Sequence, residues 1–193
     1  MKGPSAQRLP RMPRHTDNLR ADHSVVRLGL EVLGAIGEHV RNGGDLPAQD
    51  TATLLRFLRE FLLATHFRKE NEHLWPALAM RGDDAVCAAI GDLLRMQDEV
   101  TDLVHSLVMF WEPVSELTSA ERQGFAEATS MLLSRMQRMR ALEEELLFQA
   151  CDSTVPADDK LEWGPAFVAL EGGRQPRSAW AAQLQQLAAS WVA

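Results

Sequence analysis

The amino-acid sequence predicts an all-α protein, an up-down-up-down four-helix bundle, and three observations carry that expectation. Apolar residues recur every three or four positions through four long segments. No stretch of useful length alternates with period two, so no strand is expected. The breaks between segments are short and built from Gly, Asp, Asn and Pro, which makes successive helices antiparallel neighbours. With 193 residues, 46% hydrophobic and 24% charged, the chain can bury one core but not two full domains.

Residues 1–15 read as a flexible N-terminal arm, basic at Lys2, Arg8, Arg11 and Arg14 and punctuated by Pro4, Pro10 and Pro13. Thr16 or Asp17 caps a first helix bearing Leu19, Val26, Leu30, Leu33 and Val40, and Asn42-Gly43-Gly44-Asp45 ends it because Gly tolerates the left-handed conformation past a helix end. A second helix runs from near Pro47 to about Met80, where Arg81-Gly82-Asp83-Asp84 breaks it. The third carries Val86, Ile90, Leu93, Val100, Val104 and Leu107 and stops before Pro113. Thr118 or Ser119, followed by Glu121, opens a fourth that continues through Phe125, Leu132, Met136 and Leu142 to about Cys151. The bundle therefore spans 16–151, and 152–193 forms a C-terminal extension. Its first part, Ser153 to Pro176, reads as an extended connector, and a short helix from Ser178 places Trp180, Leu184, Leu187 and Trp191 on one face. That helix either covers an open side of the bundle or forms a homodimer contact, since Trp is favoured at interface cores.

A net charge of −7 gives no general electrostatic reason to expect a nucleic-acid partner. No apolar run follows the N-terminal charges as a signal peptide requires, and none approaches the roughly 20 residues of a membrane span. Two cysteines, Cys87 and Cys151, do not build a disulfide scaffold; they fall at the same end of the bundle and are expected as buried thiols. A cytoplasmic location is the simplest reading. The methionines, among them Met96, Met131 and Met136, suit flexible core filling better than a copper or haem box.

The candidate chemistry lies on the second helix. His66 and Glu70 are four residues apart on one face, an imidazole above a carboxylate, which suits a divalent metal held between helices. His23, preceded by Asp22, sits in an apolar run on the first helix, where a hydrogen-bonded core histidine is the ordinary alternative. Glu143 heads the cluster Glu143-Glu144-Glu145 on the fourth helix, where a solvated face is the alternative, although Glu143 shares the face of Met136 and Met139. Two further pairings are geometrically open: Glu31 with His105, about 80° off the ligand direction, and His73 with His15 at the bundle mouth. Surface or helix-end positions explain both.

Asp22-His23, His66-Phe-Arg-Lys-Glu70 ending in Leu74-Trp75-Pro76, and Glu143 ending in Leu147-Phe148 together resemble the hemerythrin family, in particular its HHE cation-binding domains. The resemblance covers roughly residues 16–151. It implies a bundle of hemerythrin type holding two irons bridged by two glutamates. By that resemblance His23, His66, Glu70 and Glu143 supply the metal shell. Gln97 and Met139 stand where the family has the histidines of the second iron. A Gln carbonyl is a weak ligand and a thioether prefers soft metals, so neither replaces imidazole well. The expectation is an incomplete site, mononuclear or a partial di-iron centre, for non-haem iron with Mn or Zn as alternatives. Its implied role is the handling of oxygen, nitric oxide, peroxide or iron. The other reading is a metal-free degenerate bundle acting as a protein-interaction or regulatory module.

Overall fold

The structure, a computed structural model, describes residues 16–111 and 117–192. The expected arm, residues 1–15, lies outside them. Four long helices form the bundle: α1 (Asp17–Arg41), α2 (residues 48–79), α3 (Asp84–Trp111) and α4 (residues 119–154). Their antiparallel order is visible in two ties. Thr16 Oγ1, at the start of α1, donates to the Asp152 carboxylate near the end of α4 at 3.0 Å. Arg122, at the start of α4, donates to the Gly43 carbonyl at 3.2 Å and to Asp45 Oδ1 at 3.1 Å beyond the end of α1.

Local sequence explains the boundaries. Gly43 takes φ 92° after α1, a conformation open to glycine and strained for other residues. Thr118 and Glu121 form a reciprocal capping box on α4. Thr16 occupies the N-cap position of α1, but its side chain caps no backbone N–H and instead ties α1 to α4. The core runs the bundle's length through Leu19, Leu33, Leu55, Phe61, Leu93, Val104, Leu132 and Phe148, all buried.

The region 153–176 departs from the expected extended connector. It contains α5 (Ala157–Leu161) and α6 (Trp163–Glu171). Pro165 lies in the first turn of α6, where a missing N–H leaves no helical bond unmade, and Trp163 and Phe167 bury the helix against the bundle. The final helix, α7 (Arg177–Trp191), lies along α1 and beside α2. Trp180 is buried edge-on to Phe57, with ring centres 5.4 Å apart, and Trp191 Nε1 donates to Asp50 at 2.9 Å. Its apolar face thus covers the chain's own bundle. No described helix is long and apolar enough to cross a membrane.

Candidate metal centre

α2 and α4 each leave regular α-geometry where they carry a buried glutamate. π-Helical stretches span Leu58–His66 and Glu70–Leu74 in α2 and Glu143–Leu147 in α4. The Trp75 N–H bonds to the Glu70 carbonyl and the Phe148 N–H to the Glu143 carbonyl, each five residues back. Thr65 Oγ1 likewise reaches the Glu60 carbonyl five residues back, at 2.9 Å. Such turns insert a residue and re-aim side chains, often at functional sites. Pro76 after Trp75 is not their common cause, because Gln149 follows Phe148. What the two turns share is a fully buried Glu at the first position.

These turns bring together His23 from α1, His66 and Glu70 from α2 and Glu143 from α4. One donor atom from each can be chosen so that all four lie within 4.8 Å of one another. His23 Nε2 is 3.1 Å from Glu143 Oε2, a proximity without hydrogen-bond alignment, and His66 Nε2 is 3.5 Å from Glu70 Oε1. The other ring nitrogens face carboxylates outside the cluster. His23 Nδ1 is 2.7 Å from Glu144 Oε1, and His66 Nδ1 is 3.5 Å from Asp22 Oδ2. Both imidazoles therefore turn Nε2 toward the shared space; His23 is oriented by a hydrogen bond from its other nitrogen, as histidine ligands in metal proteins are, while the His66–Asp22 contact lacks hydrogen-bond alignment.

Burial and the crowding of carboxylates set the electrostatics of the cluster. Burial raises the Glu70 carboxyl well above its ordinary range, reinforced by the charges of Glu143 and Asp22, while a hydrogen bond from Gln97 opposes the rise. Burial alone would lower His23, but the carboxylates of Glu143 and Glu144 reverse this and push it up to about 9. Burial lowers His66, against the pull of Asp22. Asp22 is held far below the usual carboxylate range: burial works against this, and the His66 ring and the Lys69 ammonium outweigh it.

Gln97 is buried on α3 and donates from Nε2 to Glu70 Oε2 at 2.9 Å, so it orients a carboxylate. Met139 is fully buried in the core. The remaining candidates do not join the cluster. Glu31 pairs on the surface with Arg27 at 2.7 Å, and His105 is exposed. His73 packs edge-on against Phe167, ring centres 5.8 Å apart, and His15 lies outside the described residues. The cysteines form no disulfide; Cys151 is buried as expected, but Cys87 is exposed, because its position near the start of α3 faces solvent. Sequence reasoning missed Glu144 and Lys69. Lys69 is fully buried and donates to Asp22 Oδ2 at 2.9 Å and to Asn18 Oδ1 at 3.1 Å. A cationic residue directly before Glu70, one turn from His66, was the available signal.

The donor set fits one cation. His23 Nε2, Glu70 Oε1 and both Glu143 oxygens are buried and make no hydrogen bond among the described residues. Leaving such groups unpaired costs on the order of 1–3 kcal/mol each, more for charged ones, and a divalent ion would satisfy them together. The fit to a second ion is poor, since Gln97 and Met139 offer no imidazole. A surface cleft of about 290 Å³, lined by Arg20, Ser24, Arg27, Arg140 and Glu144, reaches His23.

The family model of the hemerythrin HHE cation binding domain matches residues 14–151, and the chain belongs to that family. No curated protein and no solved structure matches the chain.

Proposed function

We propose that this hemerythrin-family chain binds a single non-haem divalent ion, iron first with Mn or Zn as alternatives, through His23, His66, Glu70 and Glu143. The support is the convergence of four buried donors from three helices, with carboxylate oxygens that nothing else in the described protein satisfies. The imidazoles supply neutral nitrogen donors and the carboxylates compensate the charge. Glu144 holds the His23 ring with Nε2 inward, Asp22 lies 3.5 Å from His66 Nδ1, and Gln97 steadies Glu70. When bound, iron would supply redox chemistry and an affinity for small ligands. The protein would exclude bulk water from the site and admit a small molecule along the cleft beside His23. The role we assign is the handling of oxygen, nitric oxide, peroxide or iron itself, by a site with one working half.

Metal analysis of the protein purified without added metal, beside a His66→Ala variant, tests this. The expected result is about one ion per wild-type chain and a large loss in the variant. No metal in either protein would favour the metal-free interaction module.

A further inference from the structure

The C-terminal extension, which lies beyond the matched residues 14–151, places charged side chains directly behind the candidate centre. α6 ends at Glu171, whose carboxylate accepts from Lys69 Nζ at 2.6 Å. α7 begins at Arg177, whose Nη1 donates to Asp22 Oδ1 at 2.8 Å and to the Asn18 carbonyl at 3.0 Å. Gly173, at φ 77°, turns the chain between them. From the same turn Arg174 donates to the Ala64 carbonyl at 2.8 Å, within the π-helical stretch that ends at His66.

Lys69 thus has three acceptors, Asn18, Asp22 and Glu171, one for each of its protons. Asp22 receives Lys69 on one oxygen and Arg177 on the other, and the oxygen shared with Lys69 faces His66 Nδ1. Holding α7 to the bundle does not require these charges. Trp180 and Leu184 already bury its apolar face, and a buried ion pair returns little beyond its own desolvation cost. What the charges do accomplish is to hold the Asp22 carboxylate 3.5 Å from His66 Nδ1, a buried nitrogen with no hydrogen bond among the described residues.

We propose that Glu171 and Arg177, acting through Lys69 and Asp22, form a clasp that positions His66 for metal, so that the C-terminal extension is part of the centre. The inference rests on the metal-binding reading above. Because coupling between two sites is reciprocal, bound metal in turn holds the clasp closed.

Cobalt(II) titration of the full-length protein tests this, since its visible bands report ligand geometry independently of any activity. Arg177→Met is expected to weaken cobalt affinity by ~10–100-fold and to shift the bands. Arg177→Lys should restore part of the affinity, supplying the charge to Asp22 without the guanidinium fork. In the wild type, cobalt should slow amide exchange over residues 171–177. An Arg177→Met protein that loses thermal stability alone, with affinity and bands unchanged, overturns the clasp and leaves the metal site standing. If that variant does not fold, Glu171→Gln, which keeps an acceptor for Lys69 but removes its charge, decides on the same readouts. A wild type that takes up no cobalt overturns the metal reading itself and the clasp with it.

Discussion

α2 and α4 carry the same device with different contents. In each, a Glu opens a π-helical turn that ends in Leu and an aromatic residue: Glu70 to Leu74-Trp75 and Glu143 to Leu147-Phe148. Both glutamates are fully buried, and the Trp75 and Phe148 rings stack 6.5 Å apart. Four residues before the Glu, α2 has His66 and α4 has Met139. One residue before it, α2 has Lys69 and α4 has Leu142. The partner helices differ in the same way: α1 offers Asp22-His23, and α3 offers Met96-Gln97. The second half therefore lacks the ligands and also the charged groups that would orient them. Met96 and Leu142 pack on the core where Asp22 and Lys69 make ion pairs. Loss of ligands alone would leave unpaired charges behind; replacement of both layers leaves an uncharged half, apolar except for Gln97, whose Oε1 is buried without a hydrogen bond.

The strongest way to break this comparison is to exchange roles. His66→Ala should weaken metal binding by ~100-fold or more, whereas Met139→Ala should leave affinity near wild type and cost about 2–5 kcal/mol of stability through a core cavity. Metal titration beside denaturant unfolding separates the two effects. Equal losses of affinity would mean that Met139 belongs to the site.

Restoring the second half is the next largest effect. Gln97→His with Met139→His should raise iron uptake toward about two ions per chain, and adding Met96→Asp should tighten the second ion by supplying its missing partner. Unchanged stoichiometry in both proteins would mean that α3 and α4 are aligned wrongly with the first half.

pH separates metal from proton at the intact half. His23 sits at about 9 in the metal-free protein against an ordinary 6.5. A raised folded-state pKa contributes stability that is fully present below about 6.5 and is lost as pH rises through about 9. Metal must displace that proton, so affinity should climb by about tenfold per unit from pH 7 to 9 while the metal-free melting temperature falls. Melting curves and titrations at three pH values check both slopes; parallel trends would contradict the assignment.

The smallest effect concerns how the two helices begin. α4 starts at the Thr118–Glu121 capping box, while α2 starts after Pro47 with no side-chain cap. Thr118→Ala should cost about 1 kcal/mol without altering metal affinity. A change in affinity would show that the α4 start, at the opposite end of the helix from Glu143's turn, transmits to the centre.

The boundaries of the four long helices were legible in the sequence because apolar period and caps are local signals. Residues 153–176 were misread because Pro156, Pro165, Gly172 and Gly173 suggest a loop, whereas α6 depends on Trp163 and Phe167 finding the bundle. The clustering of His23, His66, Glu70 and Glu143 was legible because helical spacing and motif place them together. Glu144 and Lys69 were not, since Glu and Lys are ordinarily solvated and the burial of Lys69 depends on an extension packed over it. The π-helical turns left no propensity signal, because no single residue type demands them.

The central claim, one working half and one plugged half, is tested most directly by anaerobic titration of the metal-free protein with ferrous iron, followed by bound-metal analysis. Saturation at about one iron per chain is expected. Saturation at about two would contradict the plugged half, and no uptake would contradict the working one.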